Sequence, residues 1–268
     1  MRPYSGINKL LYFIGIFLLT ACTGEGNSDD AGDKVFSYDR FMEKHMAAMG
    51  GRQAIESVKT VDIELEISEP DTSAIKQVAG KAVRAHYRAS RMGKMRIDVY
   101  VDGERVFTEA LLSPDVGWEL NGGERTAKTS SEAGRKALLN GIYSNLYGLH
   151  ELATVGYRLE FQGLQQLMGK TYYAMDVTSP NGKAERQFFD PKTYLKAASM
   201  DESALHVDVD PTKTVNVSMS SDYRSVDGLM RSFSGEVIDM GQNKVIQNTK
   251  ILKIEFNKEL DENQFLRP

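Results

Sequence analysis

The sequence predicts a mainly β protein, one large curved antiparallel sheet that carries two helices. Apolar and polar residues alternate with period two in many short runs, and Asp-Gly, Asn-Gly and Asp-Pro turns separate those runs. Only two stretches show helical periodicity instead. The 268 residues, 41% hydrophobic and 26% charged, suit one principal domain with a sizeable core and exclude disorder, collagen and a polytopic membrane protein. With 33 Lys+Arg against 37 Asp+Glu the net charge is -4, which leaves no basic field for a polyphosphate, so nucleic acid is not an expected partner. A single Cys excludes an intrachain disulfide and a cysteine-built metal cluster.

The chain opens on an address. Arg2 and Lys9 precede an apolar run from Leu10 to Leu19 that is too short to span a ~30 Å hydrocarbon core comfortably and ends in small residues, the pattern of a secretory signal peptide. Its end, Leu19-Thr20-Ala21-Cys22, resembles a bacterial lipoprotein lipobox. That resemblance implies removal of residues 1–21 and acylation of Cys22 by diacylglycerol and palmitate-type chains. A thiol at the edge of a leader has no positioned base, so Cys22 reads as an anchor and not as a nucleophile. Residues 22–38 follow as a tether rich in Gly, Ser and acid, and the folded domain is expected over 39–268. Loss of the leader removes Arg2 and Lys9 and takes the net charge to −6.

Within the domain, Asp39 can cap a helix whose apolar side holds Phe41, Met42, Met46 and Met49, and Gly50-Gly51 supplies its stop. A short turn through Ala54 and Ile55 leads to the cleanest alternation of the chain, Val61, Ile63, Leu65 and Ile67 against Asp62, Glu64 and Glu66. Further strands run through Ile97, Val99 and Val101, closed by Asp102-Gly103, and through Trp118 and Leu120 before Asn121-Gly122. From Ser131 to Leu149 the period turns helical, with Leu138, Ile142, Leu146 and Leu149 on one side and Gly141 and Gly148 weakening the helix. Alternation resumes from Tyr157 and continues to Phe256, broken at Pro180-Asn181-Gly182, at Asp190-Pro191 and at Asp227-Gly228. Leu164 reads as a buried strand end.

Two helices are few to cover the dry face of so large a sheet, so the sheet must curl. The concavity is then either an apolar cavity or a space filled by the helices, and alternation, which counts faces, does not decide between them. Candidate cavity residues are Val61, Ile63, Leu65, Ile67, Ile97, Val99, Val101 and Trp118 on strands and Leu138, Ile142 and Leu146 on the second helix.

The order of several pieces is familiar: Met49-Gly50-Gly51 after the first helix, Arg91-Met92-Gly93-Lys94-Met95-Arg96-Ile97-Asp98, Gly117-Trp118, Phe189-Asp190-Pro191-Lys192-Thr193-Tyr194-Leu195 and Ser221-Asp222-Tyr223-Arg224-Ser225-Val226-Asp227-Gly228-Leu229. With the closing Ile254-Glu255-Phe256-Asn257 and Phe265-Leu266-Arg267-Pro268, this resembles the LolA/LolB-like outer-membrane lipoprotein-sorting superfamily over residues 40–268. The resemblance implies an incomplete antiparallel β-barrel lidded by helices, whose cavity takes lipid or lipoprotein acyl chains. The soluble carrier of that superfamily lacks a lipid anchor, so Cys22 makes this chain more similar to the anchored receptor and implies a lipid-anchored place in the bacterial cell envelope. Thr23, where inner-membrane retention has Asp, favours the periplasmic side of the outer membrane. The superfamily's cavity arginine has no counterpart by motif, since Arg84, Arg88 and Arg96 all lie in strand-like stretches.

An enzyme is not expected. His45, His86, His150 and His206 are never three or four residues apart, and His150-Glu151 lacks the second histidine of a zinc protease, so no metal or cofactor site is predicted. No nucleophile elbow or phosphate loop is present, Asp208 and Asp210 lack the rest of a calcium loop, and Asp62 with Glu64 reads as a wet strand face. Three classes stay open: a lipid- or lipoprotein-binding module, an envelope protein-interaction or stress-sensing module on the same fold, and a hydrolase without a recognisable motif. A deep apolar cavity favours the first, a filled barrel with an exposed apolar patch the second, and convergent polar groups in a cleft the third.

Overall fold

The computed structural model describes residues 36–68, 83–206 and 210–268; Cys22 and the stretch up to residue 35 lie outside them. Ser37, and not Asp39, caps the first helix, α1 (Tyr38–Ala48): its hydroxyl accepts from the Arg40 amide, while Asp39 sits in the first turn where the helix dipole favours a negative charge. Phe36 already stacks on Tyr173 at 4.6 Å, so the folded body begins by residue 36 rather than 39. Gly50 stops α1 with φ +115, where a Cβ would stand 2.2 Å from the Gly228 carbonyl oxygen. The turn expected at Ala54 and Ile55 is a single helical turn, α2 (Arg52–Glu56).

The chain then runs as a meander: β1 (Thr60–Ser68), β2 (Val83–Ser90), β3 (Lys94–Val101), β4 (Glu104–Ser113), β5 (Val116–Asn121) and β6 (Lys128–Thr129). The second long helix, α3 (Glu132–Leu146), is capped by the Ser131 hydroxyl accepting from the Gly134 amide, and a 3₁₀ segment, Leu149–Val155, follows it. A second meander completes the sheet: β7 (Arg158–Leu167), β8 (Lys170–Thr178), β9 (Ala184–Phe189), β10 (Lys196–His206), β11 (Asp210–Val226), β12 (Leu229–Asp239) and β13 (Lys244–Phe256). Asp102-Gly103 and Asp227-Gly228 form their tight turns with positive φ at both residues.

Among the described residues the thirteen strands make one antiparallel sheet, ordered β6-β5-β4-β3-β2-β1-β13-β12-β11-β10-β9-β8-β7. The two meanders meet along β1 and β13, with Val61 opposite Phe256 and Ile63 opposite Ile254. Register shifts bend the ladders, as where Leu252 is skipped opposite Glu64 and Leu65. β6 and β7 are the two free edges, so this is a curved sheet that does not close. The chain leaves one edge at β6 and enters the other at β7, and α3 makes that passage across the concave face.

Each helix covers one half of that face. α3 lays Leu138, Ile142 and Leu146 on the side chains of β1 to β4, in a core with Tyr87, Met95, Ile97, Val99, Phe107 and Leu111. α1 lays Phe41 and Met42 on β7 to β9, where Phe41 packs at 5.1 Å from Phe161 and 4.9 Å from Phe189. On the convex face the C-terminal 3₁₀ turn, Glu262–Phe265, is strapped down: Arg96 donates to the Gln264 carbonyl at 2.6 Å and Trp118 Nε1 to the Phe265 carbonyl at 2.8 Å. Asp98 is buried beneath the strap and accepts from Arg88, from Arg96 at 2.8 and 2.9 Å and from Thr108 at 2.6 Å. Asp62 is covered too, by His86 at 2.6 Å and Lys258 at 3.0 Å, so its strand face is not simply wet. Leu164 is 56% exposed on edge strand β7, against the expectation of burial.

Candidate functional site: a cavity between the two helices

Because α3 fills one half of the concave face and α1 the other, the seam between them stays open as a cavity of about 350 Å³. Its floor is β1 and β13: Val61, Ile63, Leu65 and Ile67 line it together with Thr249, Ile251 and Ile254. Met46 of α1 and Met49 at its C-terminal cap, Asn140, Ser144 and Asn145 of α3, and Leu149 and Leu152 of the 3₁₀ segment form the roof. The far wall comes from β8 to β12 and is more polar, with Glu185, Gln187, Lys196, Tyr223 and Arg231. A second depression, at the N-terminal end of α3 between Glu132, Ala133, Lys136 and Ala137 and the Asn181–Lys183 turn, is more open to solvent.

The roof is tied to the sheet at several points. The buried Tyr87 hydroxyl donates to the Gly141 carbonyl of α3 at 3.0 Å. Arg91 forms a two-pronged pair with Glu151 at 2.6 and 3.0 Å, and Glu151 also accepts from the Gly148 amide at 2.8 Å. Arg91 stacks 4.4 Å over the Tyr147 ring as well. Gly148 is required here, because a Cβ would come within 2.7 Å of both the His150 ring and Ile55.

Burial governs the titratable groups of the wall. His45 on α1 holds its Nδ1 2.8 Å from the Tyr194 carbonyl between the rings of Phe41 and Phe189, and burial pushes its pKa down to about 4, so it is neutral and donates that hydrogen bond. Burial raises the Glu185 carboxyl above its ordinary range, opposed by Lys196 and Lys183 and by the side-chain hydrogen bond from Gln187. Burial likewise raises Tyr157, whose hydroxyl donates to Asn140 of α3 at 2.9 Å. Among the described residues no group of three or more His, Cys, Asp or Glu side chains is placed to hold a metal ion.

The expected cavity residues divide into three sets. Val61, Ile63, Leu65 and Ile67 stand at the cavity wall. Ile97, Val99 and Val101 share the concave face but lie under α3 in the packed core, where Leu138, Ile142 and Leu146 cover them, so none of these six borders the open space. Trp118 points the other way: its strand partner is Ala110, opposite Arg96, which puts it on the convex face beneath the C-terminal strap.

Solved structures share this arrangement of a curved sheet and crossing helix. A LolA superfamily protein from Nitrosomonas europaea aligns with a TM-score of 0.55 over 85% of this chain and 96% of its own, at 10% identity. The fold is LolA/LolB-like. A DUF1329 family protein from Desulfovibrio piger aligns at 0.53 with 10% identity, over 85% of this chain and 96% of its own. A domain assigned to outer-membrane lipoprotein sorting from Vibrio parahaemolyticus aligns at 0.52 with 12% identity, over 84% and 94%. No family model and no curated protein matches the sequence.

Sequence reasoning missed the polar wall of this LolA/LolB-like cavity. Arg231 occupies the apolar phase of an alternation set by Leu229 and Phe233, both buried. Glu109, on β4 and outside the cavity, does the same between Phe107 and Leu111. A charged residue in the greasy phase of a strand was the signal available for both.

Proposed function

We propose that this protein is an envelope-attached binding protein that holds an acyl chain of a lipid or lipoprotein in the cavity between α1 and α3. The observation that carries the reading is the unfilled seam: β1 and β13 present Val61, Ile63, Leu65, Ile67, Ile251 and Ile254 to a space that neither helix occupies. An apolar floor under a roof with a few polar groups is the usual form of a lipid-sized pocket. Burying about a dozen methylenes at ~0.8 kcal/mol each gives a gross gain on the order of 10 kcal/mol. Ordering the chain consumes several kcal/mol of that, which leaves roughly micromolar affinity and suits reversible holding.

Attachment rests on Cys22. Its place at the end of a leader supports acylation there and, with Thr23, an outer-membrane position facing the periplasm, where the ligand or an envelope protein partner would be met. The test is titration of anchor-free protein with a fluorescent fatty acid, followed by competition with unlabelled lipid. Saturable binding that Leu65→Trp blocks is the expected result. Absence of saturable binding refutes the reading and promotes the protein-interaction alternative.

A further inference from the structure

Among the described residues, Arg231 of the cavity wall has no carboxylate partner. Arg231 lies where β12 leaves its neighbour: β12 pairs with β13 from Ser234 to Asp239, whereas the stretch from Leu229 to Tyr223's partner Ser232 is held by β11 alone. At that splay the Arg231 guanidinium sits 5.1 Å over the Phe256 ring, and its Nη2 reaches the Asn145 carbonyl of α3 at 3.4 Å. No described carboxylate pairs with it. Arg224, its partner across the β11–β12 ladder, has Asp222 at 2.6 and 3.0 Å. Glu185, the acid of the same cavity, belongs to a different part of the wall, beside Lys183, Lys196 and Tyr157.

A half-buried arginine without a carboxylate partner costs folding free energy, a cost that an anionic ligand would offset. Burial draws its pKa down to about 10, which still leaves it charged at neutral pH. The guanidinium has five N–H donors in a planar fork, and one long contact to a carbonyl leaves most of them to face the cavity. The Tyr223 hydroxyl beside it donates to the Lys196 carbonyl at 2.6 Å, and Ser220 and Ser234 line the same side.

We propose that Arg231 is the headgroup site of the cavity, and that the ligand is a single-chain anionic amphiphile whose acid pairs with the guanidinium while its chain lies along β1 and β13. The inference rests on the acyl-chain reading and adds its polar end. A cavity of about 350 Å³ is at the small end for ligand pockets, which favours one chain over two. A fork of N–H donors recognises carboxylate or phosphate through two parallel bonds and gives no such pairing to an alcohol or an ester.

The test uses the full chain in phosphatidylcholine vesicles at neutral pH, with diazirine-bearing palmitate, the matching hexadecanol and a diazirine butyrate as photo-crosslinkers. Labelled peptides are mapped by mass spectrometry. The palmitate should label cavity peptides at least tenfold more than the alcohol, and the butyrate should label them little, which separates an amphiphile from a free small acid. Arg231→Gln should bring the acid-to-alcohol ratio to about one, leave alcohol labelling unchanged and leave or raise the melting temperature. Arg231→Lys, which keeps the cation, should retain part of the preference. Equal labelling by acid and alcohol in the parent overturns the headgroup site and leaves the acyl-chain reading standing. Butyrate labelling that matches palmitate overturns the amphiphile, and an acid preference that survives Arg231→Gln overturns the residue assignment. No cavity labelling by any probe removes the acyl-chain reading and this inference together.

Discussion

Acidification should loosen the α1 side of the cavity through His45. The imidazole is buried against Phe41 and Phe189 and is neutral, with a folded pKa of about 4 against 6.5 for an exposed histidine. Burial is the main cause, and with like-charge repulsion from Lys196 and His150 it outweighs the hydrogen bond to the Tyr194 carbonyl, which favours the imidazolium. Above pH 6.5 neither folded nor unfolded chain is protonated at this group, and it contributes no pH dependence. As pH falls from 6.5 to 4 the unfolded chain takes up a proton that the fold refuses, and stability is lost; below pH 4 both states carry the proton and the loss levels off. A fall from 6.5 to about 4 corresponds to about 3 kcal/mol, a large part of the ~5–15 kcal/mol that holds a typical domain together. The measurement is urea unfolding of anchor-free protein at pH 7, 5.5 and 4, for the parent and for His45→Gln, whose amide can still donate to the Tyr194 carbonyl. Other groups titrate in both proteins and cancel in the difference. The stability gap between the two should shift by about 3 kcal/mol in favour of the variant as pH falls. Parallel profiles would refute the buried neutral histidine.

Glu109 works in the opposite sense: burial, with Glu119 opposite on β5, raises its pKa to about 8, so the fold is favoured while this carboxyl is protonated and loses stability as pH rises from 4.5 to 8. Glu109→Gln should therefore raise the melting temperature at pH 8 and leave it nearly unchanged at pH 4, and a uniform shift would count against the assignment. Asp98→Asn should cost about 3–5 kcal/mol, because it leaves the Arg88 and Arg96 charges buried without their acid. The fluorescence of the single Trp, under the strap, should move to the red in that variant as Phe265 loosens, and an unmoved spectrum would mean that the strap holds by itself. Cys22→Ser should shift the protein out of the membrane fraction with the domain still folded, and its retention there at mature size would remove the anchor.

The faces of the strands were readable, and what covers them was not. Alternation from Val61 to Ile67 assigns four side chains to the concave face, and all four reach the cavity, because period two depends only on the pleat. Ile97, Val99 and Val101 obey the same rule, yet whether a concave side chain meets a helix or open space depends on how α3 crosses, a long-range matter that local pattern does not encode. Trp118 misleads because the convex face has a patch of its own, with Ala110 and Ala127, which becomes buried only when residues far along the chain fold over it. β2 presents Ala85, Tyr87 and Ala89 inward, and their alternation with Arg84, His86 and Arg88 is weak because two of the three are small. The second helix was legible to within a turn, since Ser131 and the Leu138, Ile142, Leu146 spacing are both local signals.

The seam between β1 and β13 has a consequence for how the molecule is made. Val61 finds its partner only when Phe256 is available, so the floor of the cavity is the last part of the sheet that a growing chain can complete. Until then β1 pairs on one side with β2 and shows a row of unused amides and carbonyls on the other, flanked by Val61, Ile63, Leu65 and Ile67. Contacts across so long a stretch of chain form slowly, and an exposed apolar edge in the interval invites pairing with other molecules. A polypeptide interrupted before Lys244 would retain both meanders in large part but would have no join between them. The floor of the cavity therefore cannot form until β13 has been made, and any occupant of the seam would have to wait for it.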